Sequence, residues 1–386
     1  MVYFVELNKD NEAHSSLNYS MIKVLALKYD DLTVFSSERH FKAIGLDMDD
    51  PKAVIHNPIS VIDGSWTSWF SKVLRESLNS YAIFRAAKRQ NVKLIYISSV
   101  FPLSHPIFKV IKKFFPNIRV IVGLHGEMEF LKSTKSLKLR FLGWFLRRGF
   151  KFSDQTVQYL VFGAVIKENL SEYRLPSQSS LLSIDHPYDY RTVVREPKKI
   201  SNNLRLGTIG IGSINKRTQN LFLLADYFKN EVLSKRLSFN LIGTMLPDLA
   251  KFVNTYVQTN GSNKILSKED FEKQIFALDY SLFFYDNEFY SLCASGAFFD
   301  AVKFEKPILA LRNDYFAYYF NRLGNIGYLF DDLNAMKIKI AEIIKGDYSV
   351  EYQQQVNNLR EAKRELSIER IADDFFEQLN ACKFLP

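Results

Sequence analysis

The stretch Tyr290-Ser291-Leu292-Cys293-Ala294-Ser295-Gly296-Ala297-Phe298-Phe299-Asp300-Ala301-Val302-Lys303-Phe304-Glu305-Lys306-Pro307-Ile308-Leu309-Ala310 reads as a loop, a capped helix and a buried strand in immediate succession. Ser295 is a natural N-cap, and the backbone N–H groups after it have no intrahelical partner. An anion placed there gains hydrogen bonds and the favourable end of the helix dipole, and Gly296 lets it come close. Taken alone, the stretch is an ordinary capped helix feeding a core strand, because most helices carry such signals. The sequence around it changes that reading.

Short β-branched and aromatic runs alternate with longer segments of helical period along the whole chain, the pattern of parallel sheets joined by crossover helices. In the first half this predicts strands over 2–7, 32–36, 52–56, 92–99, 118–124, 156–161 and 179–184, with a long helix over 66–90. A second series of strands starts at Leu204 and continues at 238–243, 280–285 and 307–311. Between the two series, residues 191–203 are polar and without apolar periodicity, which suits a linker. The expected division is therefore 1–195, 196–366 and a last helix within 367–386 that packs back on the first domain.

A chain of 386 residues, 47% of them hydrophobic, can bury a large core and is not a disordered protein. Its 51 Lys and Arg against 42 Asp and Glu give a net charge of +9, which favours an anionic partner. Nucleotide phosphates, anionic lipid and nucleic acid would all answer, but no nucleic-acid reader motif is present. Two cysteines, Cys293 and Cys382, make no disulfide framework and fit a reducing cytosol. The first residues, Met1–Leu7, read as a strand and not as a secretory signal, and charged residues interrupt every candidate membrane span. The expected location is cytoplasmic.

Two open α/β domains of similar size, the second with a phosphate-type helix start, resemble the GT-B fold of nucleotide-sugar glycosyltransferases. Asp300-Ala301-Val302-Lys303-Phe304-Glu305-Lys306-Pro307-Ile308-Leu309-Ala310 is similar to the Glu-Ala-x-Ala-x-Gly-Lys-Pro-Val-Ile-Ala segment of glycosyltransferase family four and its bacterial polysaccharide-biosynthesis relatives. The resemblance implies two Rossmann-like domains facing each other across a cleft, the first holding the acceptor and the second the nucleotide sugar. It implies that Asp300 stands for the glutamate that binds the donor ribose. Leu292 occupies the position of the family's first glutamate, so that residue's contact to the sugar does not carry over.

The loop Gly210-Ile211-Gly212-Ser213-Ile214-Asn215-Lys216-Arg217 follows a strand and precedes a helix expected over 217–234. That places the amides of Gly212 and Ser213 and the cations Lys216 and Arg217 where ligands of parallel sheets bind. The resemblance implies a basic pair that neutralises the donor diphosphate there, and a departing diphosphate develops charge that fixed cations stabilise. Alternatively the loop is a glycine turn with solvated cations. Tyr285, before the Ser295 helix, is a candidate for touching the donor sugar or nucleoside. In the first domain, Arg119–Glu127 is a strand that releases His125 and Glu127 at its carboxyl end. His125 is expected to hydrogen-bond a donor hydroxyl, and Glu127 to take the acceptor's proton or merely to cap the following helix. His186-Pro187-Tyr188 reads as a structural turn, and the other histidines show no metal-ligand spacing. No metal or cofactor is called for, the nucleotide diphosphate sugar being a substrate. Asp47-Met48-Asp49 reads as a solvated turn and not as the Asp-x-Asp of metal-dependent transferases.

A basic segment with an aromatic stripe, Lys135 to Lys151, and a second starting at Trp66 suit either an anionic membrane surface or the domain's own core. On the first of these, the acceptor is a lipid-linked saccharide at the cytosolic membrane face, in capsule or O-antigen synthesis. The expected activity is metal-independent sugar transfer of hexosyltransferase type. The competing activities are a nucleotide-sugar 2-epimerase of the same fold and a non-catalytic membrane-associated scaffold.

Overall fold

The computed structural model describes residues 1–46, 54–62, 68–132, 136–151, 154–173, 180–191, 203–260, 266–346 and 349–385. The chain divides into two compact units. One comprises Met1–Asp189, Leu292–Ala294 and Leu366–Pro386, the other Tyr190–Ser291 and Ser295–Glu365. Most of the expected linker, and the Asp47-Met48-Asp49 turn, lie outside the described residues.

In the first unit β1 (Val2–Val5), β2 (Leu32–Ser36), β3 (Val54–Pro58), β4 (Leu94–Ile97), β5 (Arg119–Gly123), β6 (Val157–Phe162) and β7 (Leu181–Ile184) form one sheet in the order β3-β2-β1-β4-β5-β6-β7. Every neighbouring pair is parallel. Each of the seven corresponds to a strand expected from the sequence. All residues of β1, β4 and β6 are buried, as continuous apolar strands covered on both faces must be.

In the second unit β8 (Leu204–Ile209), β9 (Leu237–Ile242), β10 (Val257–Thr259), β11 (Tyr280–Phe283), β12 (Ile308–Leu311) and β13 (Gly327–Phe330) form a second parallel sheet, ordered β10-β9-β8-β11-β12-β13. β10 and β13 are additional to the strands expected from the sequence. The helix expected over 217–234 is two helices, Gln219–Tyr227 and Lys229–Leu233. The strand orders of the two sheets begin alike, 3-2-1-4-5-6 within each unit, which is the doubly wound Rossmann arrangement.

The last helix, Ile368–Ala381, belongs to the first unit. Its apolar stripe of Ile371, Ala372, Phe375 and Leu379 enters the same core as Val2, Phe4, Val34 and Leu160. It also closes the sheet edge. Gln378 donates from Nε2 to the Ser183 carbonyl at 2.8 Å and accepts the Ser183 N–H at 3.3 Å, pairing backbone groups that edge strand β7 would otherwise leave open. Phe375→Ala should therefore cost about 3–5 kcal/mol. Urea denaturation of the variant measures this; a cost close to zero would mean the helix is an appendage and not part of this core.

Candidate functional site

In each sheet the strand order reverses beside its first strand, between β1 and β4 and between β8 and β11. Loops leaving the carboxyl ends of those strands diverge and leave a crevice there, where open α/β sheets bind ligands.

In the second unit the loops are those after β8 and β11. Helix Gly296–Lys303 starts where the sequence places it, with Ser295 as N-cap accepting the Phe298 amide. The Gly296 and Ala297 amides have no acceptor among the described residues, and a Cβ at Gly296 would meet nothing within 4 Å. Asp300 lies one turn further on, so Gly296 and Asp300 share a helix face. The Ser295 hydroxyl donates to Tyr285 Oη at 3.5 Å, and Lys216 Nζ sits 5.5 Å from the centre of the Tyr285 ring. Lys216, Tyr285 and Ser295 thus form one connected group, with the Tyr290 ring tilted against Tyr285 at 4.3 Å. The β8 loop is pressed against this helix start: a Cβ at Gly210 would lie 4.0 Å from Ala297 Cβ. Gly243, at φ 126°, brings the loop after β9 so close that a Cβ there would stand 2.3 Å from the Gly210 carbonyl oxygen.

Three sequence expectations change here. The amides of Gly212 and Ser213 are not available to a phosphate. Gly212 donates to the Thr244 carbonyl at 2.9 Å and Ser213 to Thr218 Oγ1 at 3.1 Å, and the buried Ser213 hydroxyl accepts the Lys216 amide. These two residues shape the loop, and the unengaged amides are those of the Ser295 helix. Arg217, in the left-handed region at φ 52°, is not a free cation either, because its half-exposed side chain pairs through Nε with the Asp286 carboxylate. Lys216 pairs with no carboxylate among the described residues.

In the first unit the loop after β1 is organised by Glu6, which is fully buried. Its carboxylate accepts from the amides of Asn8 and Lys9 at 2.8 and 3.2 Å, from Ser99 Oγ at 2.8 Å and from Asn18 Nδ2 at 3.0 Å. Asn18 Oδ1 takes the Ser98 hydroxyl at 2.5 Å. His40 Nδ1 donates to the Asn11 carbonyl at 2.6 Å, which leaves its Nε2 to accept from Asn18 Nδ2 at 2.8 Å.

His125 follows β5 at this edge. Its Nε2 lies 2.7 Å from the Ser98 carbonyl, which can only accept, so Nε2 carries the proton and Nδ1 of the neutral ring holds the lone pair. Among the described residues Nδ1 has no partner. Glu127 caps its own short helix, its Oε1 accepting the His125 amide at 3.0 Å. That is the capping alternative read from the sequence. Sequence reasoning missed two further histidines. The ring of His14, at φ 67°, lies tilted 4.4 Å from that of His125, while Phe162 lies 5.1 Å from His125 and 5.7 Å from His186. Burial, and then the neighbouring His125, hold His14 well below the ordinary histidine range and His186 at about 4. Both are therefore neutral at physiological pH. Leu292, buried, also belongs to this unit, its amide donating to Glu129 Oε1 at 2.6 Å. No group of three or more His, Cys, Asp or Glu among the described residues is set to hold a metal ion.

No protein-family model matches the chain, and no curated protein does. Solved structures do. A glycosyltransferase from Rickettsia africae ESF-5 superposes with a TM-score of 0.61 at 12% identity, over 99% of this chain and 98% of that one. The N-terminal domain of trehalose-6-phosphate phosphatase from Candida albicans gives 0.63 at 10% identity with the same coverages. UGT89C1 of Arabidopsis thaliana, complexed with UDP-L-rhamnose, gives 0.55 at 13% identity, again over 99% and 98%. The chain shares their two-sheet GT-B fold throughout. At such identities the likeness speaks for the fold, and chemistry must come from the residues.

One buried acid beside the β1 loop offers a test of this unit's electrostatics. Glu76 accepts the Phe101 amide at 3.3 Å, and burial raises its pKa from the usual range to about 7, against the opposing pull of Ser104 and Lys72. A raised folded-state pKa means the folded protein holds the proton more tightly than the unfolded chain. Its stabilising contribution is full below about pH 4.5 and lost as pH rises to about 7. Denaturation midpoints of wild type measured against Glu76→Gln should diverge over that window in the direction of falling wild-type stability; parallel pH profiles would reject the assignment.

Proposed function

We propose that the protein is a glycosyltransferase that moves a sugar from a nucleoside diphosphate to a hydroxyl acceptor, with the donor on the second unit and the acceptor on the first. The observation that carries this reading is the Ser295 helix start: two unengaged amides beside Lys216, with an acidic side chain one turn along. Amides and a cation would receive a diphosphate, and Asp300, on the same helix face, would take the paired hydroxyls of a ribose. As the bond from sugar C1 to phosphate oxygen breaks, charge builds on the departing diphosphate and is met by groups already in position. The acceptor oxygen bonds to C1 and its proton passes to Nδ1 of His125, whose ring is held by the Ser98 carbonyl on its other nitrogen. A single displacement of this kind inverts the sugar. Family-four kinship is part of the proposal, resting on the Asp300–Ala310 segment.

Thermal shift against a panel of nucleoside diphosphates tests the reading directly. One member should protect the wild type by several degrees, Lys216→Ala should weaken that protection by about tenfold in apparent affinity, and His125→Ala should keep protection while losing transfer by about a hundredfold. Absence of protection by any nucleotide would leave a non-catalytic scaffold. Conversion of a nucleotide sugar with no acceptor present would point to an epimerase.

A lipid-linked acceptor is the second part of the proposal, supported by the helix Trp69–Arg89. Its N-terminal half has reversed polarity: Lys72, Glu76 and Ser80 are buried, whereas Phe70, Leu74, Leu78 and Tyr81 are exposed, Phe70 by 82%. Ile107, Val110 and Phe114 on the helix His105–Lys113 and its end, and Leu137, Phe141 and Trp144 on Leu137–Lys151, are exposed at helical spacing too. These three helices pack in sequence, the second against both others. The third turns Leu142, Leu146 and Phe150 to the core, so both alternatives read from its sequence are realised on opposite faces. Arg148 lies 4.7 Å over Trp144 and Lys138 5.4 Å over Trp69, pairing cations with aromatics as at a lipid headgroup boundary. Among the described residues no helix is long and apolar enough to cross a membrane, so the surface would lie on the bilayer. Phe70→Ser with Leu74→Ser should lower co-sedimentation with vesicles containing phosphatidylglycerol by about tenfold. Equal binding by the double variant would remove this face from the proposal.

A further inference from the structure

The second unit has a groove away from the site described above. It measures about 500 Å³ and is formed over β8, β9 and β10 beside the helix Lys268–Ala277. The register explains its chemistry. Leu204, Leu206, Leu237, Phe239, Leu241 and Val257 turn to the core, so the alternate residues line the opposite face. On that face Arg205 stands beside Ser238, and Asn240 beside Gln258. A buried-sheet position normally carries aliphatic side chains, yet this row is polar throughout and only partly covered.

Most of these groups are uncommitted. The Arg205 guanidinium and the side chains of Ser238 and Gln258 have no partner among the described residues, and Asn240 uses only Nδ2, donating to the Leu206 carbonyl at 3.0 Å. Asn260 and Gln274 form a reciprocal amide pair, each Nδ2 or Nε2 donating to the other's oxygen at 3.2 Å, which presents a flat amide wall. Among the described residues no carboxylate lines the groove. Asp279, just outside that lining, accepts the Arg205 backbone amide at 2.7 Å. Ile242, Ala277 and Leu278 add an apolar patch, and Gly207 is small because Leu278 packs where its Cβ would be, 2.8 Å away.

We infer that this groove binds an acidic saccharide, a chain of sugar rings carrying carboxylates. Planar amides and hydroxyls make directional hydrogen bonds to ring hydroxyls, the apolar patch accepts a ring face, and a guanidinium that pairs with no carboxylate among the described residues supplies the bidentate partner a hexuronate needs. A volume of about 500 Å³ suits a short saccharide segment. Arg205, near the start of β8, lies roughly 17 Å along the strand from the loop at Gly210, so the guanidinium is remote from the Ser295 helix start although Ile242, at the other end of the groove, pairs with Ile209 beside that loop.

Calorimetric titration of the full chain with trigalacturonate, with maltotriose and with inorganic phosphate tests this. Trigalacturonate should saturate one site; maltotriose should bind at least tenfold more weakly, and phosphate should not compete. Arg205→Glu should reduce trigalacturonate affinity at least tenfold while leaving the unfolding midpoint and protection by nucleoside diphosphates unchanged. Gln258→Glu, on the exposed edge of β10, should weaken binding in the same direction if the Arg205 variant fails to fold. Failure of wild type to bind trigalacturonate, equal binding of maltotriose, displacement by phosphate, or undiminished affinity in the variant that folds would each overturn the inference. Loss of nucleotide protection is a separate outcome, so the groove and the transfer reaction stand or fall independently.

Discussion

A carboxylate with no water around it must be matched by donors, and Glu6 is matched by four. Two come from the backbone immediately after it, one from the helix that follows and one from the end of β4. That single requirement fixes the path of the chain where the first sheet reverses its strand order. It also reaches the chemistry. Asn18, held by Glu6, holds the Ser98 hydroxyl, and the Ser98 carbonyl sets which nitrogen of His125 carries the proton. A histidine whose tautomer is fixed by a carbonyl is pre-organised as a base on its other nitrogen. The neighbouring His14 and His186, neutral through burial, add ring surface without adding charge.

The second unit meets the same topological problem differently. Here small residues let backbones approach, with Gly243 almost touching the Gly210 carbonyl and Gly210 lying against Ala297. The resulting crevice is lined by amide dipoles and by Lys216 over an aromatic ring, all of them suited to anions. Arg217 is the informative exception. Its pairing with Asp286 joins the β8 loop to the β11 loop, so a residue whose charge looks available in the sequence acts as a tie between the walls. A ligand phosphate would compete with Asp286 for that guanidinium instead of finding it bare.

Strands were legible in this sequence because buried parallel strands are largely apolar runs, as β1 and β4 are, whereas edge strand β3, Val54–Pro58, is largely exposed and lies two residues beyond its expected bounds of 52–56. The second sheet was less so. β10 is a three-residue run and β13 is the short Gly327–Phe330, and neither is long enough to stand out from the helices beside it. The Ser295 cap was readable because capping is local chemistry. The roles of Gly212 and Ser213 were not, since whether an amide is engaged depends on Thr244, or on Thr218 folding back. His14 and His125 are separated by more than a hundred residues and meet only because β1 and β5 end at the same sheet edge. The one local signal for His14 was its place in the loop directly after β1.

The reversed polarity of the helix Trp69–Arg89 separates what the fold compels from what it does not. Lys72 is buried because its Nζ reaches the Asn8 carbonyl at 3.0 Å, and Glu76 because it receives the Phe101 amide. Both act on the loops around Glu6, so the polar residues on the inner face follow from the demands of that edge. Nothing comparable compels the outer face. Phe70, Leu74 and Leu78 are exposed, and apolar side chains in water gain nothing by being there, whereas Tyr81 meets the buried Phe115 ring edge-on at 6.0 Å. Their spacing along one helix is repeated on the two helices packed beside it. On the proposal of a lipid-linked acceptor, an apolar outer face edged with cations would meet an anionic bilayer surface, where that acceptor would also lie.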